Sequence, residues 1–231
     1  MKTVIFDVDD TLYDQLLPFT HAVKEQIDHD FTNSEIISLY VASRKYSDEV
    51  FEKHMSGEIS ALELQTYRIR KACEEFGLTI SYEDAELFQD SYLRYQQQIT
   101  LFPEIEKLLI KLSNEKRQIA ILTNGVHDHQ MMKVKQLQLE RWVPENHIFV
   151  SGAIGHSKPS QKVFQHIENA LQLVKDETVY IGDSYENDIA GAKQAGWKAV
   201  WFNHRRRKIK EPEWQADYTV DTPADLLPIF T

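Results

Sequence analysis

The chain has 231 residues, a formal net charge of −10 and a single cysteine, Cys73. That length holds one α/β domain with an insertion, or two modest domains. The acidic balance argues against a nucleic-acid polymer as partner, which would need a basic stripe, and one cysteine excludes an intrachain disulfide and suits a reducing cytoplasm. The chain opens on a strand pattern rather than a leader, and no apolar run is long enough to span a bilayer. A cytoplasmic protein with no membrane partner is the expectation.

The first strand is expected over Thr3 to Val8, and it runs straight into acids: Asp7, Asp9 and Asp10, then Thr11, Tyr13 and Asp14. Two unit charges about 4 Å apart interact by about 4 kcal/mol at an effective dielectric near 20. Acids crowded at the end of a buried strand therefore call for a cation, and magnesium prefers hard oxygen ligands of this kind.

From Leu16 to about Ile99 the pattern is helical. Helices are expected at Pro18 to Asp28, Ser34 to Met55, Ala61 to Phe76 and Tyr82 to Gln98, with starts at Asn33-Ser34 and Ser60 and stops at Gly57 and Gly77. Cys73 falls inside this block and reads as a buried or half-buried thiol rather than a nucleophile. No segment here has the continuous Val/Ile run of a buried parallel strand.

From Thr100 short apolar strands alternate with helices, the rhythm of a parallel sheet. Strands are expected at Gln118 to Leu122, His147 to Val150, Thr178 to Ile181, Lys198 to Phe202 and Tyr218 to Val220. Helices are expected at Ile105 to Asn114, His127 to Leu137, Gln161 to Leu171, Glu186 to Ala195 and Pro223 to Ile229. The implied organisation is an α/β core of residues 1–15 and 100–231, Rossmann-like, with an inserted all-helical domain of residues 16–99.

Three later strand ends answer the opening acids. Thr123, Asn124 and Gly125 offer a hydroxyl, an amide and a flexible backbone at a strand-to-helix junction. Lys158 is fixed ahead of Pro159, before a helix. Gly182 and Asp183 end another strand, with Asp188 in the first turn of the next helix. Taken singly, these read as turn chemistry, a solvated lysine and a helix-dipole acid. Together, at the carboxyl ends of parallel strands, they share one crevice. A nucleophilic carboxylate, a second acid, a hydroxyl, a lysine and metal-ligating acids make a set suited to phosphoryl transfer.

These segments resemble the haloacid dehalogenase (HAD) superfamily. Its DxDxT motif matches Asp7-Val8-Asp9-Asp10-Thr11, its strand ending in Thr or Ser matches Thr123, its lysine matches Lys158-Pro159, and its GDxxxxD motif matches Gly182 to Asp188. The helical insertion is similar to the superfamily's C1-type cap, which closes over the core and would carry substrate choice. The resemblance implies a magnesium-dependent phosphomonoesterase for a small phosphorylated metabolite. Asp7 would be the nucleophile, forming an aspartyl-phosphate, and Asp9 the acid/base, with a raised pKa. Thr123, Asn124 and Lys158 would bind phosphoryl oxygens. Magnesium would be held by Asp7, the Asp9 carbonyl and Asp183, and Asp188 would support Lys158 or a metal-bound water. Asp9 favours phosphate-ester hydrolysis over dehalogenation, since superfamily dehalogenases lack this second aspartate. The stretches Phe149 to Pro159 and Ala195 to His204 resemble a subgroup that includes pyrimidine 5'-nucleotidases acting on nucleoside monophosphates. A phosphosugar or phosphoglycolate phosphatase is the alternative; readings of another class are a 2-haloacid dehalogenase and a non-catalytic phosphate-binding module.

Outside the motifs the expectations are plain ones. Asp10 and Asp14 read as loop acids, and His204 to Lys208 as a solvated basic loop, with phosphate steering or a partner contact as the sharper alternatives. His127, His129 and His156 read as surface or supporting residues. Arg44, Lys45, Arg68 and Arg70, with Tyr92 and Tyr95, are cap candidates that taken singly read as solvated or packing side chains. The sequence leaves the oligomeric state open.

Overall fold

The computed structural model describes residues 1–27 and 30–230. Six parallel strands form one sheet in the order β3-β2-β1-β4-β5-β6. They are β1 (Thr3–Phe6), β2 (Gln118–Thr123), β3 (Ile148–Val150), β4 (Thr178–Gly182), β5 (Lys198–Phe202) and β6 (Tyr218–Val220). Val4, Ile5 and Phe6 in β1, and Val179, Tyr180 and Ile181 in β4, have no exposed surface. Burial on both faces explains why these strands read as continuous apolar runs rather than alternating ones. In register, Phe6 lies beside Ile121 of β2 and Ile181 of β4. The residues that follow these strands therefore emerge at one edge, where the strand order reverses and open α/β sheets carry their ligands.

The chain divides into two compact units, Met1–Asp14 with Thr100–Thr231, and Gln15–Ile99. The second unit is helical: α1 (Leu16–Gln26), α2 (Asn33–Met55), α3 (Ala61–Glu75) and α4 (Tyr82–Gln96). The helix expected over Pro18 to Asp28 starts two residues earlier, and Asp28 lies outside the described residues. Reciprocal capping boxes start three of the helices, pairing Thr32 with Glu35, Ser60 with Glu63 and Ser81 with Asp84. Each satisfies two backbone donors that a helix start leaves orphaned. Phe19 centres this unit's core, with edge-on contacts to Tyr40, Phe88 and Tyr92 at 5.3, 5.4 and 5.9 Å. Cys73 is fully buried, and burial pushes its thiol up to about 12, which makes it inert. Arg68 is buried too, donating to Gln89 at 2.9 Å under the Tyr92 ring, while Lys45 and Tyr95 pair with Glu75 and Glu25.

In the sheet unit, α5 (Pro103–Asn114), α6 (His127–Gln136), α7 (Ser151–Ile154) and α8 (Gln161–Leu171) accompany the strands. One face of the sheet packs Ile5 and Tyr180 against Phe164, Ile167 and Trp197. The helix expected over Glu186 to Ala195 is instead a π-helical turn, Tyr185–Ala190, followed by α9 (Gly191–Gln194). Asp188 folds back from this turn to accept from the Ser184 N–H at 2.9 Å, and π-turns of this kind recur at functional sites. Gly182 sits against that carboxyl: a Cβ there would lie 2.3 Å from Asp188 Oδ2, so no larger residue fits. Among the described residues no helix is long and apolar enough to cross a membrane.

Two expectations are corrected by the loop after β1. Asp10 is not a solvated loop acid: it is 1 % exposed and adopts a left-handed backbone, φ +59°. The basic run after β5 is a solvated loop only in part: Arg206 and Lys208 are exposed, while His204, Arg205 and Arg207 fold onto that acid. Arg205 grips both Asp10 oxygens, at 2.7 and 3.0 Å, and also pairs with Asp14. His204 Nε2 lies 2.9 Å from the Asp10 carbonyl. Burial opposes ionisation of Asp10, but His204 and Arg205 together hold its carboxyl well below the usual range. Because Arg205→Met removes the two-point partner of a buried carboxylate and leaves His204 and the more distant Arg207 beside it, it is expected to cost about 3 kcal/mol. A thermal melt should then show a Tm lower by roughly 6–12 °C; an unchanged Tm would mean that Asp10 does not depend on Arg205.

Candidate active site

The residues at the carboxyl edge of the sheet close on a buried lysine. Lys158, 4 % exposed, places its ammonium 2.8 Å from Asp7 Oδ1, 2.6 Å from Asp188 Oδ1 and 2.8 Å from Tyr180 Oη. Burial works against that charge, yet Asp188 and Asp7 outweigh it and hold the lysine firmly protonated. Tyr180 completes its hydrogen bonding by donating to the Leu122 carbonyl at 2.8 Å. Sequence reasoning passed over Tyr180. The available signal was a phenol inside an otherwise apolar strand, which must find a polar partner there.

Asn124, expected to help bind an anion, has a second task in the structure. Its Oδ1 accepts from the Lys158 N–H and its Nδ2 donates to the Lys158 carbonyl, both at 2.9 Å. With both ends of the amide engaged, Asn124 ties the loop after β2 to the loop that presents the lysine. Thr123 ends β2 and is 1 % exposed. Thr11 donates to Asp7 Oδ2 at 3.3 Å from the turn that follows β1.

Asp7, Asp183 and Asp188 are all buried, and each offers an oxygen within 4.8 Å of the others. Burial pushes Asp7 up to about 7; Lys158 opposes this, while the charges of Asp188 and Asp9 add to it. Asp183 is pushed well up, first by burial, then by Asp10, Asp188 and Asp7 against the opposing charge of Arg207. Arg207 pairs with Asp183 Oδ2 at 2.9 Å, and Trp201 Nε1 donates to the Asp183 carbonyl, also at 2.9 Å. Buried hard carboxylate oxygens gathered this closely, with Asp7 and Asp183 both pushed up, are a donor set that fits a divalent cation, which would favour the ionised form of both.

Asp9 behaves in the opposite way, and its expected raised pKa is corrected. Lys133, from α6, lies 2.7 Å from each Asp9 oxygen; Gln130 donates to Oδ2 at 3.0 Å and Tyr13 to Oδ1. Burial raises the Asp9 carboxyl, but the Lys133 charge and these hydrogen bonds outweigh it and hold the group well below the usual range. Lys133 is itself only 2 % exposed. Gln130 and Lys133 were missed because a Gln and a Lys on a polar helix look solvated. Their signal was a spacing of three, which puts both on one helix face, following the Thr123 loop. Gly125 makes room for Gln130: at φ +145° a Cβ there would lie 2.8 Å from Gln130 Nε2. His127 and His156 are exposed, and His129 is half-buried.

A family model described as haloacid dehalogenase-like hydrolase matches residues 1–196. The chain is 27% identical to a glyceraldehyde 3-phosphate phosphatase of Pyrococcus furiosus over 242 residues, covering 100% of this chain and 93% of that one. It is 26% identical to the pyrimidine 5'-nucleotidase YjjG of Escherichia coli, covering 91% of each. A solved structure of the HAD-hydrolase YfnB from Bacillus subtilis, bound to magnesium, is similar with a TM-score of 0.74 at 25% identity. That similarity covers 100% of this chain and 98% of that one. With the sheet order, the acid cluster and these matches together, the chain belongs to the haloacid dehalogenase-like hydrolases.

Proposed function

We propose that the chain is a magnesium-dependent phosphomonoesterase that hydrolyses a small phosphorylated metabolite through an aspartyl-phosphate on Asp7. The observation that carries this reading is the Asp7 carboxylate, fixed 2.8 Å from the Lys158 ammonium and beside Asp183 and Asp188. Asp7 attacks phosphorus, the bond to the leaving oxygen breaks, and Asp9 passes a proton to that oxygen. Water then loses a proton to Asp9 and attacks the same phosphorus, which releases phosphate and restores Asp7. Asp9 is held as a carboxylate, the form that the second step needs; a bound phosphate dianion nearby disfavours that charge and moves it toward the protonated form that the first step needs. Lys158 and the Thr123 hydroxyl bind the phosphoryl oxygens. Asp188 orients Lys158 through their 2.6 Å contact. Magnesium, bound by Asp7, the Asp9 carbonyl and Asp183, would supply the charge that keeps Asp7 ionised and offsets its repulsion of the phosphate.

The helical unit is proposed to act as the cap that excludes water and selects the substrate. Nucleoside 5'-monophosphates and phosphosugars such as triose phosphates are the substrate sets to test, because relatives named for each align along nearly the whole chain. Asp9 argues against dehalogenation of 2-haloacids and against a phosphate-binding module without catalysis.

The direct experiment is a phosphate-release screen of both substrate sets with and without EDTA. Release that requires magnesium is expected; its absence for every phosphomonoester would overturn the assignment. Asp7→Asn should lose turnover by at least about 1,000-fold while keeping its circular dichroism spectrum, and substantial residual turnover would remove Asp7 as the nucleophile. Lys133→Met, which strips Asp9 of its cation, should lower kcat by roughly tenfold or more. An unchanged kcat would make Lys133 a packing residue only.

A further inference from the structure

The turn after β5 is built to deliver one cation to Asp183. Asn203, 8 % exposed, accepts from the Arg207 N–H at 2.8 Å and donates to the Arg207 carbonyl at 2.9 Å, so its amide staples the Arg207 backbone at both ends. The Arg206 N–H closes the turn on the Asn203 carbonyl at 2.8 Å, with Arg206 itself left-handed at φ +53°. The preceding residues anchor the turn to the rest of the sheet unit. The His204 ring stacks on Phe202 at 4.6 Å, and Arg205 is fastened to Asp10 and Asp14.

From this fixed base Arg207 reaches Asp183 Oδ2 at 2.9 Å and Asp10 Oδ2 at 3.8 Å. Its side chain is 35 % exposed, whereas that of Asp183 is 10 % exposed. The cation's side chain is thus about a third exposed while the acid it serves is nearly buried. Asp10 already has Arg205, so the charge that Arg207 compensates is chiefly that of Asp183. A guanidinium at this position also repels any divalent cation on the same carboxylate, and the repulsion is large where solvent is sparse.

We propose that Arg207 is a resident counter-cation that shares Asp183 with the divalent metal and lowers the metal's affinity. The arrangement would keep the site in exchange with free magnesium rather than permanently loaded. The inference rests on the reading of Asp183 as a metal ligand.

Calorimetric titration of the full chain with magnesium chloride tests it, comparing wild type with Arg207→Gln and Arg206→Gln. Arg206 is exposed, so its variant makes the same change in net charge away from Asp183. Arg207→Gln should bind magnesium at least fivefold more tightly than wild type, and Arg206→Gln within twofold of it. Saturating magnesium should also raise the Tm of Arg207→Gln by more than that of wild type, because its Asp183 starts without a partner. Equal or weaker binding by Arg207→Gln, or equal tightening in Arg206→Gln, would overturn the proposal. Should Arg207→Gln fail to fold, Arg207→Met is the deciding variant: it removes the cation but keeps an unbranched apolar stem, so it should also tighten binding, and no tightening would overturn the proposal. Wild type that binds no magnesium would overturn the ligand reading of Asp183 instead, and the inference with it.

Discussion

Carboxylates held away from water, each needing a cation, are the constraint on which this site depends. Asp7 and Asp188 share the Lys158 ammonium, Asp10 takes Arg205, Asp9 takes Lys133 and Asp183 takes Arg207. Every one of these cations comes from an element far along the chain from the acids that follow β1. The loop before α8 gives Lys158, α6 gives Lys133 and the turn after β5 gives Arg205 and Arg207. An unpaired buried charge costs several kcal/mol, so once the acids are buried the loops that carry their cations are held beside them.

The same constraint separates two acids that stand two residues apart. Asp7 is pushed up toward neutrality by burial and by like charges, while Asp9 is drawn down by a lysine of its own. Neighbouring carboxyls driven in opposite directions are how a site gives similar groups different tasks. In the proposed reaction, one acid is tuned by a metal and the other by the substrate phosphate.

Much of this was written into the chain. The Val/Ile-rich strands and the turn residues after them gave the parallel sheet, because burial on both faces leaves a run that no other element shares. The DxDxT segment, Lys158 and the GDxxxxD segment could be placed at one sheet edge because strand direction alone puts them there. The partners that decide each acid's charge could not be read in the same way. Lys133 and Gln130 look like any polar helix residues until α6 is packed, and Arg205 and Arg207 look like a solvated run until the turn folds back. The second task of Asn124 was hidden for a related reason: a strand-end amide next to a glycine suits an anion or a neighbouring loop equally well, and only the fold brings the Lys158 backbone to it. The π-turn at Tyr185–Ala190 was hidden too: the Asp188 contact to Lys158 that accompanies it forms only when distant segments come together.

The claim at the centre of this account is that Asp7 bonds to phosphorus and that water then attacks phosphorus rather than the carboxyl carbon. Turnover of a phosphomonoester substrate in 18O-labelled water, followed by mass spectrometry of the released phosphate and of the peptide containing Asp7, tests it most directly. The label should appear in phosphate, and the Asp7 peptide should remain unlabelled after many turnovers. Borohydride added during turnover should convert Asp7 to homoserine. Label accumulating in the Asp7 carboxylate, as water attack on the carbon of an ester intermediate would require, or no reduction at Asp7 under turnover, would contradict it.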